Sequence, residues 1–106
     1  MELSIADLKS LIANPSYEAP HPYEVGKNYF IRTVTHHYTG QLLAVFPQEL
    51  VLVDAAWIAD DGRFADAVST GSFNEVEPFP AGRVVLGRGS ILDATVINYP
   101  VPRSQK

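Results

Sequence analysis

A chain of 106 residues, 46% of them hydrophobic, can hold one domain, and at that size it buries only a modest share of its surface, which leaves self-association open. It has no Cys, so disulfides, thiolate metal sites and cysteine nucleophiles are excluded together. The formal charge of −4 is uneven: residues 49–80 carry seven acids against Arg63 alone, whereas the last 26 residues set Arg83, Arg88, Arg103 and Lys106 against Asp93. This split can mark two contact faces, or simply a solvated surface.

The opening "MELSIADLKS" is acidic and amphipathic, and no apolar run approaches the roughly 20 residues of a membrane-spanning helix, so a soluble, cytoplasmic protein with no membrane partner is expected. Ser4 followed by Asp7 resembles a capping box, and Ile5, Leu8, Leu11 and Ile12 fall on one helical face, which predicts a short helix from about Ile5 to Ala13. "NPSYEAPHPYE" ends it, because Pro15, Pro20 and Pro22 disfavour helical continuation. Residues 1–106 thus read as a single domain, with helix plus Pro-rich tether over 1–24, the main body over 25–98 and a tail at 99–106.

From Asn28 the residues turn β-prone, and the alternation of "NYFIRTVTHHYTGQLLAVF" slips phase near Thr35 to His37, which predicts two strands with a corner or bulge between them. A tight corner at Pro47, Gln48 and Glu49 leads to a third strand from Leu50 to about Ile58. "ADDGRFADAVSTG" changes the period: Asp60 or Asp61 is the expected N-cap, Phe64, Ala65 and Val68 share a face, and Gly71 is the stop of a two-turn helical insertion over about 60–70. After the loop "SFNEVEPFPAG", "RVVLG" and "ILDATVI" give two more short strands about a tight corner at Gly87 to Ser90. The expected fold is mainly β: a five-stranded, strongly bent open barrel with an N-terminal helix and a helical insertion between strands 3 and 4.

Chemistry-bearing constellations are few. His36 and His37 are neighbours on a strand and point to opposite faces, so one subunit cannot use both as a facing metal pair; one half-buried and one exposed His is the expected arrangement. Trp57 reads as core or interface rather than as a stacking platform. Ser10, His21 and Asp7 have no triad signature, "GRGS" lacks the Lys and length of a phosphate loop, and no acid pair comes with a recognisable motif. No enzyme, cofactor or metal site is expected.

"GQLLAVFPQELVLVDA" resembles the first motif of the Sm-like (LSm/Hfq-type) family, with Gly40, Leu43, Phe46, Leu50, Leu52, Asp54 and Ala55 in the motif places. "VVLGRGSILDATVI" resembles the second, an apolar strand, Arg-Gly, and another apolar strand. The resemblance spans roughly Asn28 to Ile97 and is closest to uncharacterised bacterial or phage variants. A bend at Gly40, where backbone approaches backbone, is a physical reason for that glycine. Pro47 and Glu49 stand where the family has Asp and Asn, and the spacing after Arg88-Gly89 is one residue shorter.

What the resemblance implies is a homo-oligomeric ring of about five to seven subunits, closed by pairing the last strand of one subunit with the preceding strand of the next. The interface residues would be Arg83, Val84, Val85 and Leu86 on one edge and Ile91, Leu92, Ala94 and Val96 on the other. It also implies single-stranded RNA near the pore, carried by Arg88 and Gly89 with Phe46 and Gln48 in the first loop. Arg88 reads equally as an intersubunit salt bridge or a solvated turn residue. The other expected class is a non-catalytic ring assembly module of phage or mobile-element origin, binding a protein partner or a small ligand at subunit clefts.

Overall fold

The computed structural model describes residues 20–106. The expected helix from Ile5 to Ala13 and most of the Pro-rich tether lie outside the described residues. Strands β1 (Asn28–Thr33), β2 (His37–Val45) and β3 (Glu49–Asp60) form an antiparallel meander. The first break falls at residues 34–36, and the second at a tight corner closed by the Phe46 N–H donating to the Glu49 carbonyl at 2.8 Å. Helix α1 (Phe64–Ser69) follows, then β4 (Glu75–Pro78), β5 (Val84–Gly87), a 3-10 turn at Arg88–Ser90 and β6 (Ile91–Val96).

All six strands among the described residues belong to one antiparallel sheet, ordered β4-β3-β2-β1-β6, with β5 also on β3. The count exceeds the expected five because β4 lies inside "SFNEVEPFPAG". Both β4 and β5 use the edge of β3 that faces away from β2, β5 along Glu49 to Leu52 and β4 along Ala56 to Asp60. β5 and β6 do not pair, so the sheet is not closed.

The change of partner along β3 has a local cause. Thr39 pairs with Ala56 and Gln41 with Val53, so β3 carries one residue more than β2 opposite Gly40. Such an extra residue is a bulge, which bends the strand and shifts side-chain parity. Asp54 sits there at φ 51°, the left-handed region that Asp and Asn tolerate better than branched residues. Before it Leu50 and Leu52 enter one core; after it Ala55 enters that core and Ala56 and Ile58 the opposite one. This explains the Asp followed by small residues: the acid permits the kink, and the two alanines fit on either side of a tightly bent backbone. Gly40 is part of the same bend, since a Cβ there would lie 3.0 Å from Leu52 Cβ and 3.3 Å from the Val53 carbonyl oxygen.

A second bulge leaves Leu43 without a partner between the Leu42–Leu52 and Ala44–Val51 pairs. Leu42 and Val45 are therefore the buried residues of this segment, and Leu43, at a motif position of the sequence resemblance, is exposed.

Helix α1 departs from expectation in cap and face. Its N-cap is Arg63 with no side-chain cap bond; Asp60 ends β3, and its carboxylate accepts from the Gly62 N–H at 2.9 Å. The six-residue helix buries Ala67, with Val68 partly covered, while Phe64 stays exposed with the Arg32 guanidinium over its ring at 4.8 Å. Gly71 does stop the helix, at φ +73°, with its N–H on the Asp66 carbonyl. A Cβ there would come within 2.5 Å of the Tyr99 ring.

Candidate functional site

Three of the four residues assigned to RNA meet at one end of the sheet. The 3-10 turn at Arg88–Ser90 follows β5, and β5 pairs with the start of β3, so the turn is brought up to the β2–β3 corner. The Arg88 N–H donates to the Gln48 carbonyl at 2.8 Å, and Arg88 Nη1 donates to the Phe46 carbonyl at 2.7 Å. The guanidinium also lies 5.4 Å from the centre of the Tyr23 ring. Arg88 thus ties corner, turn and tether together. Phe46, about a third exposed, and Gln48 flank it on the surface. Gly89 is exposed with open space where a Cβ would stand, so no close approach explains its lack of a side chain.

The residues assigned to an interface divide by burial. Val85 and Leu92 are 62% and 67% exposed; Leu92 is the unpaired residue of a third bulge, between the Arg32–Asp93 and Thr33–Ile91 pairs. Val84, Ile91, Ala94 and Val96 are partly covered by the core, and Arg83 precedes β5 on the surface. Leu86 is in the core, so only its backbone is on the edge. Beside this edge, Arg32 Nε donates to Asp93 Oδ1 at 2.8 Å, with a second bond from Nη2 to Oδ2. The hydrogen bonds from Arg32, aided by its charge, hold the Asp93 carboxyl below the usual carboxylate range and outweigh the opposing effect of burial. β6 is in this way pinned to β1 by side chains as well as backbone.

The two histidines part as expected. His37 is half-buried, its Nδ1 2.7 Å from Asp61 Oδ2 and its ring edge-on to Phe30. His36 is exposed and packs against Trp57. Trp57, expected in core or interface, is not in the core: it keeps 38% of its surface open on the edge of a cleft. Among the described residues no group of three or more His, Asp or Glu is placed to hold a metal ion, and no helix is long and apolar enough to cross a membrane.

Comparison with protein-family models, with curated proteins and with solved structures finds no match to this chain.

Proposed function

We propose that the chain is a self-assembling, Sm-like module: a small bent barrel, left open between β5 and β6, whose copies close a ring by pairing β6 of one subunit with β5 of the next. One observation carries this reading. Among the described residues β5 and β6 each use a single edge, on β3 and β1, and do not pair with each other. An unpaired edge flanked by exposed apolar side chains, here Val85 and Leu92, invites another strand, and closed symmetry satisfies both edges at once. The bend at Gly40 and Asp54 supports the barrel. Light scattering after size exclusion should give one discrete multiple of 11.6 kDa, about five to seven. The double substitution Val85→Lys and Leu92→Lys, at positions exposed in the subunit, should release folded monomers. A parent that is monomeric at every concentration defeats the proposal.

A second reading, single-stranded RNA at the ring, is supported by the gathering of Arg88, Phe46 and Gln48 at one end. Arg88 already spends a hydrogen bond on the Phe46 carbonyl, and the chain is acidic, so the assembly reading comes first. Uridine-rich oligomers bound at low salt, lost with added salt and lost in Arg88→Ala while the ring persists, would favour RNA.

A further inference from the structure

Across β2, β3 and β4 runs a row of side chains in register, Tyr38 opposite Trp57 and Trp57 opposite Glu77. The His36 ring lies 5.7 Å from Trp57 and 6.3 Å from Tyr38, and Phe79 lies nearly parallel to Tyr38 at 6.1 Å. With Pro78 and Pro80 these residues line a cleft of about 330 Å³. Tyr38 and Phe79 are accounted for as cover of the core; Trp57, more than a third exposed, is not. Glu77 stands in the same wall. Both its carboxylate oxygens accept from the Gln105 amide at 3.2 Å, a neutral partner, and no cation among the described residues pairs with it. The Arg103 guanidinium, two residues before Gln105, is engaged by Asp54 at 2.8 Å.

We propose that this cleft binds a small organic cation bearing a trimethylammonium group. Aromatic faces attract a cation through their quadrupole, and a methylated ammonium is large, apolar at its surface and weakly hydrated, so it loses little on entering. Glu77 supplies the counter-charge. An anion would be repelled by that carboxylate, and an inorganic cation would require several oxygen ligands where the cleft offers one carboxylate. A neutral apolar ligand would leave Glu77 half-desolvated without a partner. This site is formed within one subunit and stands whether or not the ring does.

The test uses the full chain, choline, and its uncharged carbon isostere 3,3-dimethylbutan-1-ol, with Trp57 as the single tryptophan reporter. Choline should alter Trp57 fluorescence saturably and bind about three- to tenfold more tightly than the isostere. Glu77→Gln should weaken choline by a similar factor and leave the isostere unchanged, with fluorescence still available as readout. Trp57→Ala, checked for an unchanged melt, should lose the choline-induced NMR shifts of Tyr38 and Phe79. Equal affinity for choline and isostere overturns the proposal, as does no saturable choline response. A proline-rich peptide that shifts the same signals where choline does not would also overturn it and make the cleft a peptide groove.

Discussion

The two faces of the sheet are filled by different means. On one, strands supply every buried residue, Tyr29 and Ile31 from β1, Leu42 and Val45 from β2, Leu50, Leu52 and Ala55 from β3, and Leu86 from β5, with Tyr23 and Phe79 packed against them from outside the strands. On the other, Phe30, Ala56, Ile58 and Val76 need a cover from outside the sheet, provided by Ala67 and Val68 of α1, by Phe73, and by Ile97, Tyr99 and Val101 of the C-terminal segment. β1 is buried on both faces, with Phe30 and Ile31 at 1% and 0% exposed, so each core rests on the same strand. The first core is closed by strand bending, and its integrity depends on bulges and Gly40. The second is closed by short irregular pieces held by single contacts, and depends on those contacts.

The largest expected effect tests whether the two are one cooperative unit. Phe73, 1% exposed and packed between Phe30 and Tyr99, is the keystone of the covered side. Phe73→Ala should cost about 3–5 kcal/mol, transfer loss plus cavity. Because β1 is shared, thermal unfolding followed by far-ultraviolet circular dichroism and by Trp57 fluorescence should give coincident transitions for parent and variant. Separate transitions would show two independently melting halves.

On the side whose buried residues all come from strands, the corresponding substitution is Gly40→Val. The added Cβ alone meets Leu52 Cβ at 3.0 Å, Leu52 Cδ1 at 3.1 Å and the Val53 carbonyl oxygen at 3.3 Å, so the bulkier variant should lose about 1–3 kcal/mol by overpacking. A melt equal to the parent's would mean that the bend between β2 and β3 does not depend on this close approach.

The difference between the faces also marks what could be read in the sequence. The meander β1 to β3, its corner at Pro47 and the stop at Gly71 were legible because turn chemistry and side-chain alternation act over a few neighbouring residues. β4 was not: "EVEP" has two acids and a proline in four residues, and pairing with β3 decides its state. Phe64 attracted the helix face by its apolar character, yet the Arg32 guanidinium covers it and the small Ala67 enters the core instead. Bulges at Leu43, Asp54 and Leu92 are set by cross-strand register, so which of Leu42 and Leu43 is buried cannot follow from alternation alone. Arg88, Phe46 and Gln48 were named from motif positions and do meet. The cleft of Tyr38, Trp57, Glu77 and Phe79 was missed because three strands contribute to it, and Trp57 by itself reads as core or interface.

A substitution with the opposite sign sharpens the comparison. Thr39, on the floor of the covered core opposite Ala56, is 0% exposed and its hydroxyl has no hydrogen-bond partner among the described residues. Replacing it by Val removes a buried polar group and keeps the shape, so Thr39→Val should stabilise the fold by about 1–2 kcal/mol. A loss in denaturant unfolding would show that the hydroxyl is satisfied after all.

Tyr99 offers the smallest effect and the most specific signature. Its hydroxyl donates to the Ala67 carbonyl at 2.5 Å, tying the C-terminal segment to α1, and burial pushes its pKa up to about 12 from 10. Tyr99→Phe keeps the ring against Phe73 and deletes that bond, so at neutral pH it should cost about 0.5–1.5 kcal/mol. The pH dependence follows from linkage. Since the folded-state pKa is above the unfolded one, the contribution of the protonated phenol is fully present below about pH 10 and is lost as pH rises through about 12. The stability gap between parent and Tyr99→Phe should therefore be constant from neutral pH to about 10 and shrink above it, whatever the other tyrosines do, since they are common to both proteins. A gap that stays constant to pH 12 would mean that the phenol ionises with its ordinary pKa in the folded protein, so that burial does not hold back its charge.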